Sequence, residues 1–394
     1  MTRLTLMAAC SLAALAAAAS GAQARTAQLG WLDGVRVRAS ADFDLVTAAR
    51  ADAQRTAPWG AAALYWQADG VRDSGLRWGI DITGKAITGD GRRGLARPLE
   101  GPCPCPLDAG GRPLAGLMTG LSGASGDAAS GRAALEEASV WAQGGWLRVR
   151  AGVAQGAAAQ ERPDLPGALR TVRADGALFD PTGLALVDTS LPLAGPAPGV
   201  SVQTRRIIGL RATASYTPDA QWRSVRRAWP ASDEAVRADI RDVWSLGASF
   251  DRRSPASGVR WQAQAGWEAG RAAGPHAGAF RDPWAGSARL VRQSGDLTLA
   301  ASWLRGNDGL ADARYEAVSA AAAYEYGDWL FSLEAGAASA GLAQRNGRSV
   351  QAGASRLIGE RAVIGLSVSL AGENRPGAPD RRRVRAALET GLRF

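Results

Sequence analysis

The chain of 394 residues carries 46 basic and 37 acidic side chains, a net charge of +9, and Lys85 is its one lysine, so the positive charge is almost all guanidinium. After the first two dozen residues no stretch approaches the ~18 consecutive apolar residues that a spanning helix needs, which excludes helical membrane spans. The arginines are spread along the chain rather than gathered in one block, which argues against nucleic acid as a partner.

Residues 1–24 read as a secretory signal: Arg3, a Leu- and Ala-rich run, then Ala22-Gln23-Ala24 as an A-x-A cleavage site. The apolar run continues past Cys10, so the lipoprotein-like "LMAAC" is set aside. The mature chain is then 25–394, exported and able to oxidise thiols.

From there a period of two dominates, the signature of strands with one apolar and one polar face. "VRVRASADF" sets Val35, Val37, Ala39, Ala41 and Phe43 against Arg36, Arg38, Ser40 and Asp42. "LRWGIDIT" sets Leu76, Trp78, Ile80 and Ile82 against Arg77, Gly79, Asp81 and Thr83. The same alternation sets Val259, Trp261 and Trp267 against Arg260 and Glu268, and Leu366 against Ser367. About sixteen strands are predicted: 33–45, 59–68, 74–86, 134–143, 145–153, 201–208, 209–217, 240–251, 257–270, 281–292, 295–304, 313–326, 328–339, 347–358, 361–372 and 381–394.

The connections alternate. Gly144-Gly145, Gly327-Asp328 and Gly359-Glu360 are tight turns, whereas 87–133 and 154–200 are long. Short turns at one end, long loops at the other and an even strand number describe an all-β, antiparallel up-and-down transmembrane barrel. A soluble β-sandwich also alternates, but several of these strands reach about twelve residues, beyond the usual five or six. Their polar faces also carry arginines and carboxylates that a packed sandwich core could not hold unpaired. Trp78, Trp146, Tyr216, Trp244, Trp284, Trp303 and Trp329 fall near strand ends, where rings anchor at headgroup level.

In loop 87–133, "GPCPCPL" holds Cys103 and Cys105. A tight bridge across Pro104, two free thiols and an intermolecular pair all remain open; two thiols alone do not fill a tetrahedral metal shell. His276 stands in a turn, and alternation puts Glu136 and Glu137 on opposite faces, so no acid–base pair is expected there. With no phosphate loop and no metal-ligand spacing, neither catalysis nor a cofactor is expected.

The sequence resembles the trimeric general porins of Gram-negative bacteria. "DGVRVRASADFDL" resembles the family's first strand, and "EEASVWAQGGWLRVRAG" the hairpin before its third loop. "TRRIIGLRATASYTPD" resembles a later hairpin, with Arg205 where proline is usual, and the terminal Phe394 matches the family's C-terminal aromatic. The resemblance implies an outer-membrane homotrimer of sixteen-stranded barrels embedded in outer-membrane lipid. Each would have its third loop folded inward, conduct small hydrophilic solutes and ions, and be inserted by the barrel assembly machinery reading Phe394. The third loop corresponds to 154–200; the second, 87–133, can in the family reach over a neighbouring subunit.

Alternation then gives the expected pore lining. Arg36, Arg38, Arg77, Arg148 and Arg150 share the inner face, and Arg383, Arg385 and Arg393 extend it where the last strand meets the first. Asp175, Asp180 and Asp188 of the third loop would oppose them, favouring anions weakly. The competing expectation is that carboxylates such as Asp42 and Asp81 neutralise these arginines. A barrel with a structural or binding role and a loop-plugged pore is the alternative to an open channel.

Overall fold

The computed structural model describes residues 27–28, 35–49, 58–88, 106–121, 131–220, 225 and 235–394. Both ends of the predicted signal's boundary and the pair Cys103 and Cys105 lie outside the described residues. The strands are β1 (Ala27–Gln28), β2 (Val35–Ala49), β3 (Trp59–Val71), β4 (Arg77–Thr88), β5 (Gly131–Gly144), β6 (Leu147–Ala154), β7 (Ala197–Thr204) and β8 (Leu210–Asp219). They continue as β9 (Asp239–Arg253), β10 (Arg260–Ala273), β11 (Trp284–Ser294), β12 (Leu297–Asn307), β13 (Arg314–Tyr326), β14 (Trp329–Ala340), β15 (Arg345–Ile358), β16 (Ala362–Arg375) and β17 (Ala378–Arg393).

Each of β2 to β17 pairs antiparallel with its chain neighbours, and β17 returns to β2 from Ala386↔Ala49 to Arg393↔Asp42. Sixteen strands therefore close a barrel, as the alternation and loop lengths predict, with termini shifted by a few residues. Closure removes sheet edges, so every strand's backbone groups find partners away from water. Phe394 completes the seam: its N–H and C=O exchange bonds with Ala41 at 2.9 and 3.1 Å. Its ring packs edge-on against Phe43, centroids 6.0 Å apart. β1 pairs with the stretch of β2 just beyond, Ala27 opposite Val37.

The burial pattern is that of a membrane barrel, turned inside out relative to a soluble protein. On β16 Leu366 is 55% exposed on the outer wall while its neighbour Ser367 is 1% exposed. Outer-wall Trp146, Trp244, Trp284, Trp303 and Trp329 are all exposed large rings, the arrangement of an interfacial aromatic girdle. Among the described residues no helix is long and apolar enough to cross a membrane.

One pairing departs from strict alternation. Between β4 and β5 the register slips at Thr83/Gly84, Thr83 facing Glu137 while Gly84 faces Leu135. Glu136 is the extra residue of this bulge. Glu136 and Glu137 therefore line the same internal cavity instead of lying on opposite faces, a correction to the alternation-based expectation.

Candidate functional site

The connection from β6 to β7, residues 155–196, folds into the barrel. Its path is recorded by hydrogen bonds to the inner wall, strand after strand. Ala157 N–H donates to Ser215 of β8 at 2.8 Å and Ala158 N–H to Ser245 of β9 at 2.7 Å. Leu193 N–H donates to Glu268 of β10 at 2.6 Å. Arg289 of β11 donates to the Pro163 carbonyl at 2.8 Å, and Ser319 of β13 to Asp175 at 2.6 Å. Ala168 N–H reaches Ser332 of β14 at 2.8 Å, and Gln351 of β15 donates to the Val172 carbonyl at 2.8 Å. Finally Arg170 and Thr171 give backbone N–H groups to Glu389 of β17 at 2.9 and 3.0 Å. The loop's tip packs Phe179 against Trp59 of β3, ring centroids 5.5 Å apart, beside Val46, Ile87 and Leu169.

Above this loop, one side of the barrel mouth holds an apolar cluster contributed by several connections. Leu114, Leu117, Met118 and Leu121 of the β4–β5 connection pack on Val236, Phe280, Leu310, Leu186 and Val187. Asp308 fastens it, accepting Met118 N–H at 3.0 Å, Thr119 N–H at 2.8 Å and Thr119 Oγ1–H at 2.6 Å. Burial pushes the Asp308 carboxyl above its ordinary pKa against those bonds. The described part of this second loop thus lies on the rim of its own barrel.

The other side of the wall, β2 to β7, keeps a polar lumen. Here four of the predicted arginines fall into two pairs, each sharing one carboxylate, and two further arginines form a third pair. Arg36 and Arg38 of β2 reach Asp69 of β3 at 2.9 and 3.1 Å. Arg148 and Arg150 of β6 converge on Asp81 of β4 at 3.6 and 3.3 Å, and Arg150 also meets Glu137 at 3.0 Å. Arg206 and Arg211 share Glu161. Arg170 from the loop meets Asp42 at 2.8 Å, and Arg393 meets Asp44 at 2.7 Å.

The remaining predicted residues are placed as follows. Arg77 stands exposed at the start of β4, in phase with Asp81. Arg383 donates to the Thr182 carbonyl at 3.1 Å, which brings it to the inward loop, and Arg385 donates to the carbonyl of its neighbour Val384 at 2.9 Å. Asp175 accepts from Thr189 N–H at 2.7 Å as well as from Ser319. Asp180 is buried and accepts from Thr182 and Ala185 N–H, each at 2.9 Å. Burial raises its pKa. Asp188 accepts from Ser190 N–H at 2.8 Å.

Glu161, Asp69, Asp44, Arg170, Arg206 and Arg211 are charged groups of the site that sequence reasoning missed. Asp69 was within reach: it lies in phase with Gln67 on the polar face of β3, directly across from Arg36. Glu161 was not, because its position depends on the loop's path. Its backbone is left-handed, φ +57°, a conformation uncommon outside glycine.

An antiparallel barrel of sixteen strands with an apolar outer wall and a charged lumen narrowed by an inward loop is a transmembrane pore. The Gram-negative porin family model matches residues 11–372, and the chain belongs to that family: it is an outer-membrane channel. Members of the family pass solutes and are typically trimeric. Among solved structures, the anion-selective porin from Comamonas acidovorans is 12% identical, with 91% of this chain and 98% of that one aligned and a TM-score of 0.53. A high-pH structure of Pseudomonas putida OprB is 9% identical, covering 92% and 94% of the two chains at a TM-score of 0.56. A porin refined at 1.8 Å is 14% identical over 91% and 100%, TM-score 0.52. These similarities concern the fold. No curated protein matches the sequence.

Proposed function

We propose that the protein is a homotrimeric diffusion pore for small hydrophilic solutes, with a weak preference for anions. It is exported by cleavage after residue 24, and 25–394 forms a single barrel domain. The observation that carries the selectivity is the two-to-one sharing on the open wall: Asp69 serves Arg36 and Arg38, and Glu161 serves Arg206 and Arg211. Pairing damps the field without cancelling it. Arg36 and Arg38 remain about half exposed, and Arg77, Arg383 and Arg385 add to the same wall. In this reading Asp175, Asp180 and Asp188 form the opposed negative side, weakened by the hydrogen bonds that each accepts. A field of this kind acts over the Debye length of ~10 Å at 0.1 M salt, which is comparable with a pore radius. The name of the Comamonas acidovorans relative agrees with this sign.

The test is the reversal potential across a KCl gradient in a planar bilayer. A chloride preference that fades when Arg36, Arg38, Arg148 and Arg150 are neutralised together is expected. Cation preference in the wild type overturns the reading. The apolar cluster at the mouth favours one alternative, a plugged barrel without transport, and the same bilayer separates the two by the presence or absence of steady conductance. The channel family supports a non-catalytic role, with His276 a solvated loop residue. Phe394, locked into the seam, is assigned as the signal read by the assembly machinery: its deletion should sharply reduce heat-modifiable barrel in the outer membrane.

A further inference from the structure

Between the β5–β7 wall and the first turns of the inward loop lies a cavity of about 260 Å³. Its ionic groups differ in how fully they are used. Glu136 accepts the Val225 N–H at 2.9 Å. Glu137 is paired with Arg150, and Glu161 is held by Arg206 and Ser249. Arg148 is the exception. Its ion pair with Asp81, at 3.6 Å, is too long for a hydrogen bond. Among the described residues Arg148 donates no other, and its guanidinium lines the cavity.

Arg148 is nevertheless held in place. Its guanidinium carbon sits over the Trp141 ring, 4.0 Å from the centroid, a cation–π contact that restrains the side chain. Trp141 is itself fixed: it lies over Gly79, where a Cβ would come within 2.5 Å of the indole. So the wall presents a rigid cation whose donors are not consumed.

Acceptors line the same cavity. Gln160 gives its amide to the Gln155 carbonyl at 2.7 Å, and Gln203 gives its amide to Glu161 at 3.0 Å. Neither Oε1 of that pair receives a donor among the described residues. A cation with unused donors beside acceptors that lack donors fits one ligand chemistry: a carboxylate together with hydroxyl groups. The volume sits below the 300–1,000 Å³ of drug-sized pockets, which limits the ligand to a small molecule. An apolar acid would strand the amide oxygens, and an uncharged polyol would strand Arg148, each a costly mismatch in a confined site.

We infer that this cavity is a binding subsite for small polyhydroxylated carboxylates, with Arg148 on the carboxylate and Gln160 and Gln203 on the hydroxyls. The inference deepens the channel reading and rests on it, because the ligand enters from the lumen.

The test separates binding from conduction. Gluconate and sorbitol, which share a carbon skeleton and differ in the carboxylate, are titrated calorimetrically into the detergent-solubilised protein. Gluconate should saturate and sorbitol should not. Arg148→Gln should weaken gluconate by about tenfold or more, the loss of a charge-assisted bond, and Arg148→Lys, which keeps the charge without the planar fork, should recover only part. Gln160→Leu should weaken gluconate while leaving acetate, which has no hydroxyls, unchanged. Heat-modifiable mobility confirms that each variant is a folded barrel. No saturable gluconate binding, equal binding of sorbitol, or unchanged affinity in Arg148→Gln overturns the subsite. Absence of KCl conductance, measured separately, would instead overturn the channel.

Discussion

Along β9 to β16 many of the inward-facing side chains that the loop meets are short, such as Ser245 and Gly247 on β9, Ser319 on β13, Ser332 and Gly336 on β14 and Gly347 and Ser349 on β15, and the long ones among them, Glu268, Arg289, Glu334 and Gln351, are spent on hydrogen bonds to the loop. Along β2 to β7 they are long and charged or amide-bearing: Arg36, Arg38, Gln67, Asp69, Asp81, Arg148, Arg150 and Gln203. The difference follows from what each wall faces. The short side receives a backbone. A Cβ on Gly247 would lie 2.3 Å from the Ala157 carbonyl oxygen, and one on Gly347 would lie 2.6 Å from the Leu186 side chain. The long side faces solvent and keeps its charges in pairs. Where a loop must lie on a sheet, small residues permit close approach and hydroxyls satisfy its backbone groups; where water remains, large ionic groups are tolerated and set the field.

The sharpest way to break this comparison is to remove one carboxylate from each wall. On the covered side Glu334 accepts Arg173 at 3.1 Å and Ala174 N–H at 3.3 Å, with its side chain 2% exposed. Glu334→Ala leaves Arg173 uncompensated and should cost about 3–5 kcal/mol. On the open side Asp69→Ala releases two half-exposed arginines and should cost about 0.2–1 kcal/mol. Urea titration of refolded barrel in lipid vesicles measures both. Equal losses would mean that the two walls do not differ in kind.

Arginine placed on either side of one strand sharpens it further. Leu366→Arg puts a charge on the lipid face, at about 2–4 kcal/mol if near the midplane. Ser367→Arg, under the inward loop, should cost about 1–3 kcal/mol by overpacking. Gln67→Arg, on the open wall, should stay within about 0.5 kcal/mol. The same urea titration ranks the three; a tolerated Ser367→Arg would show that the loop does not press on β16.

The smallest effect concerns the cap over the covered side. Burial raises the Asp308 carboxyl, so folding takes up a proton there, and the latch loses stability as pH rises through the folded value. Protection of residues 114–121 from limited proteolysis should therefore be greater at mildly acidic than at neutral pH. Asp308→Asn, which cannot titrate, should flatten that dependence; a pH response unchanged in the variant would assign it to another group.

Much of the architecture was legible in the chain. Sixteen strands, the inner and outer faces and the closing role of Phe394 all follow from a period of two and from glycine-marked turns, because in a membrane barrel each residue faces either lipid or lumen and the two environments demand opposite chemistry. Thus Leu366 and Ser367, or Trp267 and Glu268, declare their sides locally. Arg36, Arg38, Arg148 and Arg150 were assigned to the lumen on the same ground. Tertiary structure decided what those residues do there. The bulge that turns Glu136 inward is a property of two strands in register, not of one. Asp81 serves Arg148 and Arg150 only because β4 and β6 flank β5, and Glu161 reaches Arg206 and Arg211 only because the loop bends back along the wall. Ion pairs and cavities depend on approach between segments distant in the chain, whereas the choice of face depends on the next residue, so the period carried the faces and the folded barrel alone settled the partners.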